Sequence, residues 1–166
     1  LQRLETQSLL TRDGRTLIVA SLDHNQMAEL YVVRTELEGL AARLAAQHAS
    51  VEEVNVLQQM IDADRERVLD APALARSNKR FHKQLHLASH NRFLVQQLDL
   101  VYRSMALLAT TSLAVEGRGP MALDEHQAIV LAISERDGPA AYEAVKRHLS
   151  EAFVTRLKHD SGTQAW

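Results

Sequence analysis

The chain of 166 residues contains no cysteine. Disulfides and thiolate metal sites are therefore excluded, and any metal must rest on His, Asp, Glu or Asn. The lack of thiols suits a reducing cytoplasm. Aromatic residues are scarce at 4%, while Ala and Leu abound, which favours helix over sheet. A large excess of charge of one sign is also missing. A net charge of −2 argues against the main body being a nucleic-acid-binding surface. No apolar run is long enough to span a bilayer, and no signal peptide is expected. Internal repeats and low-complexity segments are absent too. The chain opens on Leu1 rather than Met, so further sequence upstream is expected.

What is present is ordinary for a soluble globular protein, with 46% hydrophobic and 24% charged residues. The length suits one domain with a sizeable core and a fragment of a second. Residues 1–23 differ in kind from the rest. Leu1 to Glu5 reads as the end of an amphipathic helix, and Leu9 to Ala20 as two apolar stretches around an Asp13-Gly14 turn, a hairpin signal. Beyond Ser21 the patterns are helical. A first helix is predicted from Asn25 to about His48, with Leu30, Val33, Leu37, Leu40, Ala41 and Leu44 on its apolar face. Ser50-Val-Glu-Glu53 reads as a capping box opening a second, to about Leu69. Asp70-Ala-Pro72 begins a third that ends near Ser89-His-Asn91. A fourth runs from Arg92 to about Val115 and stops at Gly117-Arg-Gly-Pro120. A fifth covers Ala122 to Glu135, and a sixth Pro139 to about Lys158. The fold class is all-α, an antiparallel bundle of about six helices preceded by a β-hairpin.

Polar residues fall on the apolar faces of three of these helices. The third carries Leu74, Asn78, Phe81, His82, Leu85 and Ser89 on one stripe. The fifth carries Leu123, His126, Val130 and Ile133, and the sixth Ala141, Val145, His148 and Ala152. Burying one such polar group unpartnered would cost about 1–3 kcal/mol, so something must satisfy them. Each is either a core residue bonded to a neighbour or one of a set converging on a transition metal. Pattern alone leaves both readings open. His86 and His90 continue the ladder from His82 but drift by about 40° per step, and are expected to leave the stripe for solvated or capping roles.

At these residues the chain resembles the FCD domain, the effector-binding half of the FadR subfamily of GntR-type bacterial transcription regulators. The matching signatures are Arg34-x-x-Leu37-Glu38, Asn78-x-x-Phe81-His82 and Ala88-Ser89-x-Asn91. Glu125-His126, Ala132-Ile133, Asp137 and His148-Leu149 complete the ordered set, from about Asn25 to Lys158. Residues 1–23 resemble the end of the same family's winged helix-turn-helix, with Leu1 to Glu5 as the recognition-helix tail and Leu9 to Ala20 as the wing. The domain division implied is 1–23 remnant DNA-binding domain, 24–160 FCD effector-binding and dimerisation domain, and 161–166 tail.

The resemblance implies a divalent metal held by Asn78, His82, His126 and His148. Asn78 stands where the family commonly has Asp, and its amide oxygen is a neutral donor. Three imidazoles with one amide oxygen suit zinc or nickel better than magnesium or calcium. A small carboxylate effector, an organic or sugar acid, would bind at the metal. Arg34 is either one half of an exposed i, i+4 ion pair with Glu38 or turned inward to hold the effector carboxylate. Arg103 is a second candidate for the effector. Arg12 and Arg15, at the wing tip, would contact DNA.

The function implied is a cytoplasmic, ligand-responsive regulator. It would act as a homodimer on a DNA operator, through an N-terminal domain that lies mostly outside this chain. Two alternatives stand beside it: a small metal-dependent hydrolase or lyase, and a structural-metal dimerisation module. Against an enzyme, the angular offset of Glu125 from His126 points that carboxylate away from the site, leaving no inward general base.

Overall fold

The computed structural model describes residues 10–13, 16–19, 21–66, 70–108 and 111–163, with side chains from Ser21 to His159 within those ranges. Six α-helices follow a hairpin of β1 (Leu10–Asp13) and β2 (Thr16–Val19). They are α1 (His24–His48), α2 (Val51–Arg65), α3 (Ala71–Ala88), α4 (Arg92–Met105), α5 (Arg118–Ser134) and α6 (Gly138–Thr163). The strands are antiparallel, with Leu10 opposite Val19 and Asp13 opposite Thr16, so the expected hairpin is present. Its turn residues, the expected helix over Leu1 to Glu5, Arg15 and the far tail lie outside the described residues.

Local chemistry fixes the helix starts. Asp23 accepts from the Gln26 amide at 2.8 Å while the Gln26 side chain accepts from the Asp23 amide at 3.0 Å. The predicted Ser50–Glu53 box repeats this reciprocal cap on α2. Asp70 caps α3, with Pro72 in its first turn. At the far end of α1, the Arg136 guanidinium donates to the Ala49 carbonyl at 2.7 Å and satisfies a terminal acceptor.

The junction between the fourth and fifth helices differs from the sequence reading. The fourth ends at Met105, not near Val115, and a short 3₁₀ turn occupies Ser112–Ala114. Hydroxyl side chains compete for the backbone here; Thr111 Oγ1 accepts from the Leu113 amide. The fifth helix begins at Arg118, four residues before its expected start at Ala122. Gly117 makes the turn at φ 77°, and Pro120 sits in the first helical turn, where its missing N–H costs nothing. Both shifts matter, because the 3₁₀ turn and Arg118 border the site.

The main core joins α1, α2, α3, α5 and α6 through Ala42, Ala45, Leu57, Ile61, Phe81, Leu85, Ile129, Ile133 and Leu149. Full burial of each Leu, Ile or Phe side chain contributes about 1.5–3 kcal/mol. The buried face of α1 is rotated from the expected stripe. Val33 is half exposed, and Leu30, Leu37, Leu40 and Leu44 are only partly buried. Tyr31, Arg34, Glu38, Ala42 and Ala45 face inward instead. Gly39 allows α6 to approach closely: a Cβ there would lie 2.6 Å from the Tyr142 ring. Among the described residues, no helix is long and apolar enough to cross a membrane.

Candidate metal centre

Three helices deliver one imidazole each. His82 of α3, His126 of α5 and His148 of α6 are all buried, and one ring nitrogen from each lies within 4.8 Å of the others. The expected inward stripes of the fifth and sixth helices are buried throughout. Phe81 stacks on His126 with ring centroids 4.0 Å apart and planes 16° from parallel, which sets the orientation of that imidazole.

Carboxylates orient the other two. His82 Nδ1 lies 2.6 Å from Glu38 Oε2, and His148 Nδ1 lies 2.7 Å from Glu125 Oε2. A carboxylate can only accept, so each Nδ1 carries the proton and each Nε2 is left with a lone pair. Those two Nε2 atoms face each other at 3.2 Å. Two lone pairs cannot hydrogen-bond. Burial, reinforced by the neighbouring rings, lowers the basicity of His126 and His148 well below the ordinary imidazole range. For His82 burial also lowers it, although Glu38 opposes. Protonation is therefore a poor remedy for the facing lone pairs. His126 Nε2 is also buried and has no hydrogen-bond partner among the described residues. Three uncharged nitrogen donors converge, and a transition-metal ion fits them. Two nitrogens at about 2.0–2.1 Å from a tetrahedral zinc would stand roughly 3.3 Å apart, close to the separation seen.

Each carboxylate is gripped in turn by an arginine. Arg34 Nε donates to Glu38 Oε1 at 2.6 Å, and its Nη2 to Tyr102 Oη at 3.1 Å, while Tyr102 donates to the same Oε1 at 3.0 Å. Burial alone would push the Glu38 carboxyl up. Instead His82 and Arg34, pressed against it with their N–H groups donated, hold it well below the usual range. Arg34 and Glu38 are thus a buried pair, not an exposed one. On the other arm, Arg118 Nη2 donates to Glu125 Oε2 at 2.6 Å. Burial pushes the Glu125 carboxyl up, with Arg118 opposing.

Asn78 is half-buried and lines a cavity of about 110 Å³ together with Arg34, Tyr102, Arg118 and His148. Arg103 is exposed and does not border this cavity. Arg12 lies in β1, outside the residues whose side chains are described.

Two sequence expectations are corrected. Glu125 does face the site, because it reaches sideways to α6 rather than toward His126 on its own helix. His86 does not leave the stripe. It is buried, with Nε2 3.2 Å from Glu38 Oε2, although not aligned to donate to it. The buried arc of α3 is wider than one stripe, running through Ser77, Phe81, His82, Leu85, His86 and Ala88. Arg118 was missed because Gly117-Arg-Gly-Pro120 reads as a helix breaker. Its spacing of seven residues from Glu125, two helical turns, was the available signal.

Comparison with known proteins defines the class. Residues 29–151 match the FCD domain model. The chain belongs to the FCD-domain family of GntR-type transcriptional regulators. It is 27% identical over 163 residues to the uncharacterized HTH-type transcriptional regulator YdhC of Bacillus subtilis, covering 96% of this chain and 72% of that one. It is 28% identical over 138 residues to the galactonate operon transcriptional repressor of Escherichia coli, covering 82% and 59%. Among solved structures, E. coli McbR/YncC superposes with a TM-score of 0.80 at 15% identity over 95% of this chain and 77% of that one. The metal-free FCD domain of TM0439 does so at 0.68 and 20% identity over 84% and 96%. At such identities the structures establish a shared fold.

Proposed function

We propose that this domain is the sensing half of a ligand-responsive transcription regulator. It holds a divalent metal on His82, His126 and His148, with Asn78 as a fourth ligand, and binds a small carboxylate beside it. The observation that carries the reading is the pair of Nε2 lone pairs facing at 3.2 Å, with both Nδ1 protons committed to carboxylates. Neutral imidazoles with an amide oxygen favour zinc or nickel. When bound, the ion supplies a Lewis-acidic anchor for an anion. Arg34 lines the same cavity and sets a guanidinium there, paired with Glu38. A purely structural metal would not call for a cavity bordered by guanidinium groups.

GntR-type regulators bind DNA operators, and in this reading the effector biases a cytoplasmic homodimer between two arrangements of its DNA-binding domains. Such coupling requires a differential affinity of typically 1–3 kcal/mol between the two states. One relative is named for repression of a galactonate operon, which supports sugar and organic acids as the class to test. Arg103, exposed on α4, has no part in this site. The Arg12 and Arg15 wing tip remains the proposed DNA contact.

The test is a thermal-shift screen of short carboxylates and sugar acids on zinc-loaded and metal-stripped protein. An acid of the right class raises Tm according to its concentration over Kd, and only in the loaded protein. Equal shifts in both forms, or none with any acid, would contradict the sensor reading. Turnover of a bound acid would convert it to an enzyme.

A further inference from the structure

Two buried donors at the cavity wall belong to Arg118. Arg34 commits Nε to Glu38 and Nη2 to Tyr102. Arg118 commits only Nη2, to Glu125. Its Nε and Nη1 are buried and have no hydrogen-bond partner among the described residues, although the side chain is only 3% exposed. A buried guanidinium with two idle donors at the wall of a cavity is an anion site awaiting its anion. The cavity, about 110 Å³, equals three to four waters at roughly 30 Å³ each. That is the size of a short carboxylic acid, from acetate to malate.

The same arginine is tied to the metal centre by a single atom. Glu125 Oε2 accepts from Arg118 at 2.6 Å and from His148 Nδ1 at 2.7 Å. We propose that Arg118 anchors the carboxylate of the effector and that Glu125, as a positioning residue, transmits its arrival to His148. An anion on Arg118 neutralises the charge that draws on Glu125. The carboxylate then accepts more strongly from His148 Nδ1–H, and the opposite ring nitrogen becomes a better metal donor. Effector and metal therefore tighten each other, and by linkage the effect is mutual. The inference rests on the metal reading above and adds to it a named anchor and a route.

The experiment measures zinc affinity by chelator competition, with and without malate or acetate, in the wild type, Arg118→Lys and Glu125→Gln. In the wild type, saturating malate tightens zinc about tenfold. Arg118→Lys replaces the guanidinium fork with a point charge and, whatever its zinc affinity without acid, keeps no more tightening than the direct attraction between anion and metal gives. Glu125→Gln weakens zinc by about 10–100-fold and leaves only the direct attraction between anion and metal. Circular dichroism checks that both variants fold. A second arm needs no variant: in zinc-loaded wild type, malate shifts the Nδ1 proton resonance of His148 more than that of His82. Tightening undiminished in Arg118→Lys, or a His82 resonance that moves more, would overturn this inference while leaving the metal site standing. No zinc binding in the wild type would remove both.

Discussion

Two arms hold the imidazoles, and they are built to different standards. In the α1 arm, Glu38 is fully buried and its oxygens meet Arg34, Tyr102 and His82, with His86 behind. Arg34, His82 and His86 are themselves buried, and Tyr102 is partly so. In the α5 arm, Glu125 is one-fifth exposed and, among the described residues, is hydrogen-bonded by Arg118 and His148 alone. It also borders an outer groove between α5 and α6, beside Asp124 and Glu151. Burial is overcome in the first arm and prevails in the second: the Glu38 carboxyl is held far down, while that of Glu125 is raised. The difference separates a fixed strut from an adjustable one. A saturated, dry network holds His82 in one place, and a half-wet carboxylate with one guanidinium leaves His148 able to respond.

Glu38→Ala gives the largest expected effect. It strands Arg34 and His82 without their anion, and removing one partner of a buried pair costs about 3–5 kcal/mol. Urea denaturation of the metal-free protein reads this directly, and a loss under about 1 kcal/mol would mean the network is not saturated.

A second effect concerns pH in the metal-free protein. His82, His126 and His148 are harder to protonate when folded than in the unfolded chain. The unfolded state therefore binds more protons once the pH drops toward the ordinary imidazole value of about 6.5. Stability is full above that value and declines as the pH falls from it toward the lowered folded values. Thermal melts between neutral and mildly acidic pH should show Tm decreasing, and zinc should protect. A Tm that rises on acidification would place protons, not a metal, between the rings.

Glu125→Ala sharpens the contrast by costing less. With solvent within reach of Arg118's partner, about 1–2 kcal/mol is expected in the same urea assay, and parity with Glu38→Ala would erase the distinction between the arms. Smallest of all is Arg103→Ala, an exposed change that should stay within about 0.5 kcal/mol and leave acid binding intact in a thermal-shift assay.

Much of this was legible in the sequence where local rules act. The Ser50–Glu53 box, the Asp70 and Pro72 start of α3, and the three histidines on apolar stripes all follow from spacing. The partners of those histidines were not legible. Glu125 sits one residue from His126, and periodicity places it off the stripe, yet it serves a ring on the neighbouring helix. Arg34 and Glu38 look like surface charges because their mutual neutralisation, which allows burial, needs His82 and Tyr102 from 44 and 64 residues beyond Glu38. The early start of α5 was hidden by glycines flanking Arg118, and with it an arginine at the cavity wall. Local pattern finds what faces inward; the long-range hydrogen bonds decide what it faces.

The most direct test of the central claim is the metal content of purified protein, wild type beside His126→Ala, after loading with zinc and exhaustive dialysis. Among the described residues His126 donates to no carboxylate and its ring stacks on Phe81, so its removal trims one packing contact without stranding a buried charge. One ion per wild-type chain is expected, and far less in the variant. Equal metal in both, or none in the wild type, would contradict it.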